Sequence, residues 1–169
     1  MTLMPDETAV RPARREDLDL VTAIEGEADQ TFVPLFGPLD WRPTKGQWRM
    51  AAPGFLLVAG EPVAGFAHVM ELEGIAHLEQ LAVRPALHRR GIGTALVRAA
   101  MAEAARRGYA EISLCTYADV PWNAPFYASL GFVELADLGP LHTRMQEKEV
   151  QMGLDRHGRR VVMSAPTAT

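Results

Sequence analysis

The sequence predicts a single mixed α/β domain. Three short apolar runs between residues 54 and 83 have the length and the turn residues of β-strands. Residues 91–107 lack proline and have the composition of one long helix. A chain of 169 residues buries about 70% of its unfolded surface when it folds, which is enough for one hydrophobic core.

The first third of the chain predicts a strand, a helix and an irregular segment. Residues 10–13 form the strand, and Leu18, Val21 and Ile24 then recur at helical spacing. Residues 31–45 hold three prolines among large apolar side chains. We therefore expect no regular element there, but a wall or lid over a ligand.

The middle of the chain predicts an antiparallel meander followed by a long helix. The runs 55–59 and 62–69 flank a tight Gly-Glu turn, which is a hairpin signal, and 75–83 supplies the third strand. Residues 91–107 are rich in Ala, Leu and Met, and the helix is expected to end at Gly108.

The last part of the chain predicts three short strands and a short helix. The strands are 111–116, 132–135 and 159–163, and the helix is 123–130. All elements belong to one domain, 1–169, whose best-supported core spans 8–135. Residues 136–163 form a C-terminal extension, and residues 164–169 are expected to be a frayed tail.

Charge and cysteine content restrict the classes of function. The chain has 17 Lys and Arg against 21 Asp and Glu, a net charge of −4, so any phosphate binding must be local rather than due to bulk charge. No apolar run approaches the ~18 residues of a membrane span, and residues 1–10 do not resemble a secretory signal. The single cysteine, Cys115, is expected to be a small buried thiol, and its lack of a disulfide partner favours the reducing cytoplasm.

The strongest chemical signal is the junction between the third meander strand and the long helix. Arg89, Arg90, Gly91 and Gly93 occupy this junction. A helix start offers unpaired N–H groups and a partial positive charge, glycines let the backbone approach a ligand, and the arginines add full charges. The junction therefore predicts a phosphate site. Leu96 stands where a dinucleotide-binding fingerprint needs its third glycine, so that type of site is not predicted.

This segment resembles the GCN5-related N-acetyltransferase (GNAT) superfamily, through Leu-Ala-Val at 81–83, Pro85 and Arg-Arg-Gly-Ile-Gly at 89–93. The resemblance covers roughly residues 10–135. It implies a three-layer fold with a central, mostly antiparallel sheet splayed between its fourth and fifth strands, helices on both faces and acetyl-CoA in the gap. Main-chain groups on the strand would bind the pantetheine arm: Leu81, Ala82 and Val83. The loop and helix start would wrap the pyrophosphate: Arg89, Arg90, Gly91, Ile92, Gly93 and Thr94.

Residues 123–132 are similar to the helix of that family that ends in Tyr-x-x-x-Gly-Phe. The resemblance implies that the Tyr127 hydroxyl faces the CoA sulfur and protonates the leaving thiolate; the alternative is a half-buried ring that packs on the sheet. Asn123 is a suitable N-cap for this helix, and Pro125 fits its first turn. The family often has an asparagine seven residues before the tyrosine to bind the pantetheine arm. Here that position is Val120, which leaves Asn123 as the candidate for this contact.

The strand before the acetyl-CoA segment carries the candidate general base. Strand alternation predicts His77, Glu79, Leu81 and Val83 on one face. An alkyl ammonium with a pKa near ~10 must lose a proton before it attacks, and a carboxylate or imidazole can take it, directly or through water. In several members of the resembling family the base lies on this strand, and we favour Glu79, with His77 next. The alternative is structural: Glu79 pairs with an arginine and His77 lies at the rim.

These features predict an acyl-CoA-dependent N-acetyltransferase of the cytoplasm. It would move the acetyl group of acetyl-CoA directly to a primary amine of a small molecule or peptide, with main-chain N–H groups near Leu81 polarising the carbonyl. We expect no metal, no membrane and no nucleic acid as partner. The acceptor would be set by the stretch around His142 and by four aromatic residues: Phe32, Phe36, Trp41 and Trp48. The Pro-Leu-Phe-Gly-Pro-Leu run at 34–39 and the tryptophans suggest an apolar wall that could also be a homodimer surface, although core packing is the commoner use of such residues.

A second class of function remains open from the sequence. The same fold could bind acyl-CoA as a sensor without turnover. The candidate base and Tyr127 favour the enzyme, since a sensor would need neither. A nucleic-acid-binding role comes third, because the charge balance and the lack of interleaved aromatic residues disfavour it.

Overall fold

The computed structural model describes residues 6–168 as a seven-stranded sheet with helices on both faces. The strands are β1 (Val10–Pro12), β2 (Gly54–Ala59), β3 (Gly65–Leu72), β4 (Ile75–Val83), β5 (Glu111–Tyr117), β6 (Val133–Glu134) and β7 (Arg160–Pro166). The helices are α1 (Leu18–Asp29), α2 (Val33–Phe36), α3 (Gly46–Ala51), α4 (Ile92–Arg106), α5 (Ala124–Ser129) and α6 (Pro140–Gln151). The strand order is β1-β2-β3-β4-β5-β7-β6. Residues 1–5 of the predicted domain 1–169, and Thr169, lie outside the described residues.

The sheet opens between β4 and β5, which form its parallel pair. Residues 76–78 of β4 pair with residues 112–114 of β5, and the two strands then separate. β4 continues to Val83 and β5 to Tyr117 without pairing to each other. The unpaired ends of the two strands leave a gap in the sheet, called the cleft below, and this gap confirms the predicted splay between the fourth and fifth strands.

Each face of the sheet has its own apolar core. On one face α4 buries Leu96, Val97 and Ala100 completely. On the other face α1 buries Val21 and Ile24 against the meander strands. The two cores confirm the predicted three-layer arrangement. Among the helices of residues 6–168, none combines the length and the apolar character needed to cross a membrane.

A β-bulge interrupts β4 at Glu79. His68 of β3 is opposite Gln80, whereas the next residue, Val69, is opposite Leu78, so Glu79 is the extra residue on its strand. The bulge shifts the side-chain alternation of β4 by one position.

The shifted alternation gives the two sides of β4 different roles. Leu81 and Val83 join Leu78 on the side of α4, whereas Glu79 and His77 contact groups on the opposite side. The prediction that one face carries His77, Glu79, Leu81 and Val83 is therefore wrong. The bulge separates the ionisable residues from the segment predicted to bind acetyl-CoA.

Three stretches differ from the sequence prediction in their helices. Residues 31–45, expected to be irregular, overlap a 3-10 turn (Gln30–Phe32) and contain α2, because Pro34 lies in the first turn, where its missing N–H does not matter. The helix α3 has only six residues, too few for a periodic signal. The helix α6 begins at Pro140, where the Gly-Pro pair favours a turn.

Part of the tail expected to fray at 164–169, residues 164–166, belongs to the sheet instead. β7 extends to Pro166 and pairs with β5 on one side and β6 on the other. Thr167 then donates hydrogen bonds to two backbone carbonyls of the loop before β5. The predicted fraying is wrong for the described residues of this tail, because the strand supplies both hydrogen bonds and core side chains.

Candidate active site

The junction between β4 and α4 lies at the open end of the cleft. A 3-10 turn (Pro85–Leu87) leads to Gly91, which has a φ of 83° and directly precedes Ile92, the first residue of α4. A Cβ atom at Gly91 would meet no atom within 4 Å. The first N–H groups of a helix have no partner within it, so α4 offers several donors here beside an open backbone. This geometry suits a phosphate group.

Three elements meet at Gly93. A Cβ atom at this glycine would lie 3.6 Å from Cζ of Phe126 in α5 and 3.9 Å from Cγ2 of Val83 at the end of β4. The structure thus brings together β4, the start of α4 and the helix of Tyr127, all of which the sequence analysis assigned to one site.

The two arginines of the loop differ in their pairing. Arg90 makes an ion pair with Glu7 at 3.0 Å. Arg89 is exposed, has a φ of 65° and pairs with no acidic side chain of residues 6–168. Its full charge therefore faces solvent at the helix start.

The other residues of the predicted acetyl-CoA segment offer mainly their backbone. The side chains of Ala82 and Ile92 are buried in the two opposite cores. Leu81 and Val83 pack partly against the core under α4. Thr94 is half-buried in the first turn of α4. Ligand contacts by most of these residues would have to come from N–H and C=O groups.

Tyr127 lies in α5 with its ring packed between two neighbours. Its ring centroid is 5.1 Å from that of Phe126 and 5.7 Å from that of Phe132. Its hydroxyl makes no hydrogen bond with any other residue of the described chain, 6–168. Burial raises the pKa of Tyr127, so the phenol keeps its proton at neutral pH. The packing alternative is therefore realised for the ring, while the hydroxyl is left without a structural role.

Asn123 occupies the N-cap position of α5, but its side chain does not cap the helix. Its Oδ1 accepts a hydrogen bond from the backbone N–H of Tyr117, at 3.4 Å, and so ties α5 to the end of β5. The predicted start of the helix is confirmed and the predicted side-chain cap is wrong. Val120 is buried, with 6% of its surface exposed.

Glu79 belongs to a buried charge network that joins β4 to α1 and α3. Nη1 of Arg49 donates to Glu79, and Nη2 donates to Oε1 of Glu25 at 2.5 Å. Nδ1 of His68 lies 2.8 Å from Nη1 of Arg49 and 3.5 Å from Oε2 of Glu79. Within residues 6–168, Nε2 of His68 and Nε of Arg49 are buried without a hydrogen-bond partner.

Glu79 is the carboxylate of this network that reaches solvent. Its side chain is 35% exposed, against 8% for Glu25. Burial by itself would raise the pKa of Glu79, but the hydrogen bond to His68 and the charge of Arg49 lower it to about 2. Glu79 is therefore ionised at neutral pH, and the arginine pairing that the sequence left open is present.

His77 is enclosed rather than at the rim. It is 5% exposed, and its Nδ1 lies 2.8 Å from Oγ of Ser113, which is also 2.8 Å from Nε2 of His142. Burial and, second, the nearby His142 lower the pKa of His77 to about 4. The predicted rim position is wrong, and this enclosure disfavours His77 as a base for an amine in the cleft.

Six rings form an aromatic cluster between the end of α1 and the end of β5: Phe32, Phe36, Trp41, Tyr117, Trp122 and His157. The ring centroid of Phe32 lies 5.5 Å from that of Trp122 and 6.1 Å from that of Tyr117. Phe36 stacks on His157 at 4.8 Å. Trp122 is 40% exposed, so the cluster presents part of its surface to solvent.

The residues that the sequence analysis assigned to the acceptor do not all lie together. Phe32, Phe36 and Trp41 do come together, but Trp48 lies apart, edge-on to His68 with ring centroids 6.1 Å apart. His142 is buried against Ser113 and not on this wall.

Sequence reasoning missed several residues of the site. Nothing in the sequence links Arg49 to Glu79, which is 30 positions away. A usable signal did exist on α1, where Glu25 and Asp29 recur at the spacing of one helix face.

The described residues include no cluster of metal ligands and one cysteine with a raised pKa. Among residues 6–168, no group of three or more His, Cys, Asp or Glu side chains could hold a metal ion. Burial and, second, the charge of Glu149 raise the pKa of the Cys115 thiol to about 12. A thiol with such a pKa is a poor nucleophile.

Comparison with known proteins gives a family and a fold. Residues 21–132 match a family model, which is described as the acetyltransferase (GNAT) family. The ribosomal-protein-S18-alanine N-acetyltransferase from Escherichia coli is 22% identical, with a TM-score of 0.65 over 98% of this chain and 96% of that one. An aminoglycoside 6'-N-acetyltransferase complexed with coenzyme A is 17% identical, with a TM-score of 0.64 over 95% and 98%.

A larger protein also contains this fold. N-acetylglutamate synthase from Neisseria gonorrhoeae, complexed with coenzyme A and N-acetyl-glutamate, is 16% identical with a TM-score of 0.68. The match covers 100% of this chain and 36% of that one. At these identities the likenesses indicate a shared fold and leave the acceptor open.

Proposed function

The chain belongs to the GNAT acetyltransferase family, and from this premise we propose that it transfers the acetyl group of acetyl-CoA directly to a primary amine. The observation that carries the proposal is the cleft between the diverging ends of β4 and β5. The helix start of α4 lies at its open end, and ionised Glu79 lies on the strand that borders it.

In this proposal acetyl-CoA binds along β4 with its pyrophosphate at the start of α4. The N–H groups of residues 91–94 and the free charge of Arg89 would bind the phosphates. The backbone of residues 81–83, which no longer pairs with β5, would bind the pantetheine arm. Asn123, next to the end of β5, would add a side-chain contact.

Two groups of the chain would handle the protons of the reaction. The amine nitrogen forms a bond to the thioester carbonyl carbon, and the carbon–sulfur bond breaks. Tyr127 gives its proton to the departing sulfur. The proton of the amine goes to Glu79, directly or through water. N–H groups near Leu81 would stabilise the negative charge on the carbonyl oxygen.

The low pKa of Glu79 limits what this carboxylate can do. At neutral pH it is always in the form that accepts a proton and attracts an ammonium group. It is a weak base, however, so it would pass the proton on to solvent instead of keeping it. Arg49 holds it in place for this role.

The first test is release of the CoA thiol from acetyl-CoA with a panel of amines, amino acids, aminoglycosides and peptides with free N-termini. Amine-dependent release is expected for at least one class. Glu79→Gln is expected to lower kcat/KM by about tenfold or more, because the ionised proton acceptor is lost. Glu73→Gln is the matched control, since Glu73 is an exposed carboxylate that pairs with Arg144. Equal losses in both variants would contradict the role of Glu79.

The ion pair of Glu79 with Arg49 favours a second candidate, an acyl-CoA sensor of the same fold. A sensor needs no free base, and Glu79 would then serve only to hold α3 against β4. Tight acetyl-CoA binding, measured by calorimetry, without thiol release for any amine would support the sensor.

A further inference from the structure

The helix α1 spans the cleft on the side opposite α4. Its Glu25 reaches the network of Glu79 on β4 through Arg49. Phe32, in the turn that continues α1, contacts the ring of Tyr117 at the end of β5. Asp29 lies on the same helix face between them, one turn from each. Along the chain it therefore lies between the residue that reaches the β4 network and the residue that reaches the end of β5.

The carboxylate of Asp29 has no partner in the described chain. It is half-buried and makes no hydrogen bond or ion pair with any residue from 6 to 168. Arg49, the cation that acts on it, already binds both Glu25 and Glu79. Three carboxylates thus lie within the influence of one guanidinium, which leaves excess negative charge at this point.

Burial and, second, the charge of Glu25 raise the pKa of Asp29 to about 6. A half-buried carboxylate without a partner is unfavourable, and its proximity to a second carboxylate adds repulsion. A bound cation would remove both penalties. Nothing in the packing of α1 requires a carboxylate at this position, since the apolar residues of the helix make its core contacts.

The aromatic cluster begins next to this carboxylate. Phe32 shares the helix face of Asp29 and contacts Trp122, which is 40% exposed. Aromatic faces attract cations and bury apolar carbon. A carboxylate and an exposed aromatic surface side by side fit an ammonium group that carries an apolar substituent.

We propose that Asp29 binds the ammonium group of the acceptor and that Phe32 and Trp122 contact its apolar part. The acceptor is then a primary amine that a short alkyl chain joins to an aromatic ring. This inference rests on the proposed acetyl transfer and deepens it by naming the class of amine. Small aryl-alkylamines and peptides with an N-terminal phenylalanine share this chemistry, and the test separates them.

The test measures acetyl transfer to 2-phenylethylamine, to 1,4-diaminobutane and to phenylalanyl-glycinamide. We expect the first or third amine to have a kcat/KM at least tenfold above that of 1,4-diaminobutane. Asp29→Asn is expected to raise KM for the preferred amine at least tenfold, with less change in kcat and no change in KM for acetyl-CoA. Trp122→Ala is expected to raise KM for the aromatic amine more than for 1,4-diaminobutane.

Asp19→Asn is the matched control, because Asp19 is an exposed carboxylate on the same helix whose partner is Gln47. Preference for 1,4-diaminobutane, or an unchanged KM in Asp29→Asn, would overturn the inference and leave the proposed transfer intact. If no amine is acetylated, calorimetric titration of 2-phenylethylamine into the protein with CoA decides. Binding that Asp29→Asn abolishes would support the amine site and contradict the proposed transfer. Absence of binding would overturn both.

Discussion

Glu79 and Asp29 lie near Arg49, and their pKa values shift in opposite directions although burial acts on both. Glu25 binds Arg49 directly, yet its pKa is raised because burial outweighs that pairing. Glu79 accepts a hydrogen bond from the guanidinium and has a pKa of about 2, although burial alone would raise it. Asp29 makes no such bond, and burial raises its pKa to about 6. Arg49 thus keeps Glu79 ionised, while Asp29 stays responsive near neutral pH.

The chemical role of the Tyr127 hydroxyl can be tested separately from the packing of its ring. Tyr127→Phe keeps the ring between Phe126 and Phe132 and removes only the proton donor. We expect kcat to fall by about one to three orders of magnitude, with the acetyl-CoA dissociation constant within a few-fold of wild type. Tyr109→Phe is the control, because its hydroxyl donates to Glu71 on the surface. Full kcat in Tyr127→Phe would mean that the thiolate leaves without this acid.

His77 should make folding stability depend on pH. Its pKa of about 4 in the folded protein lies below the ordinary value of 6.5, so the unfolded chain binds more protons between these values. The free energy of unfolding is then expected to decrease as pH falls from about 6.5 to 4, by at most ~1.4 kcal/mol per pH unit from this group.

Urea unfolding of wild type and His77→Asn across this range is the measurement. The variant is expected to show a smaller decrease. Asp29→Asn is expected to show a larger decrease than wild type as pH falls from about 6 to 3.8. The raised pKa of Asp29 makes the folded state bind more protons in this range, which stabilises it, and the variant lacks this contribution. Parallel curves for wild type and His77→Asn would show that His77 does not titrate in this way.

At the scale of single elements, the glycines at the two ends of α4 can be compared directly. Gly91 and Gly108 both have positive φ values, 83° and 95°, and a Cβ atom on either would meet nothing within 4 Å. Leucine at either position should therefore cause similar backbone strain.

Only the helix start is assigned to the phosphate site. Gly91→Leu is expected to raise the CoA dissociation constant at least tenfold, measured by calorimetry, while Gly108→Leu leaves it unchanged. Far-UV circular dichroism should be the same for both variants. Similar CoA affinity in the two variants would remove the phosphate site from this loop.

Most of the strands and the helix α4 follow from local sequence pattern. Gly108 ends α4 and the meander runs recur as β2, β3 and β4, since turn residues and apolar periodicity act over a few positions. The bulge at Glu79 has no such local signal, because it depends on how β3 and β4 align. The face assigned to Leu81 was wrong for this reason.

The candidate site was less predictable than the fold. Its acetyl-CoA segment lies within one strand–loop–helix unit, and the sequence identifies that unit. Its charges come from separate parts of the chain: Glu25 from α1, Arg49 from α3 and Glu79 from β4. Their meeting depends on tertiary packing, so the pKa of Glu79 and the isolation of Asp29 could not be inferred from residue type.

At the scale of the whole molecule, the C-terminal strand holds together the half of the sheet that contains β5. β7 lies between β5 and β6, and its Val161, Met163 and Ala165 belong to the main core. Without it, β5 would retain only its short pairing with β4. The strand that borders the cleft thus depends on the last strand of the chain.

Removal of residues 160–169 is therefore expected to abolish cooperative thermal unfolding. Loss of a large buried side chain costs about 2–5 kcal/mol, and whole domains are stable by only about 5–15 kcal/mol. Removal of residues 168–169 alone is the control and should leave the melting temperature unchanged, since β7 ends at Pro166. A cooperative transition in the longer deletion would show that β7 is dispensable.

The position of β7 also orders events during protein synthesis. After α4 the ribosome makes β5, then α5, β6 and α6, and only then β7. Until β7 emerges, most of one edge of β5 exposes unpaired N–H and C=O groups, which can pair with another chain or be held by a chaperone. The nascent protein therefore passes through a stage in which its meander and α4 can already be packed while one wall of its cleft is still loose.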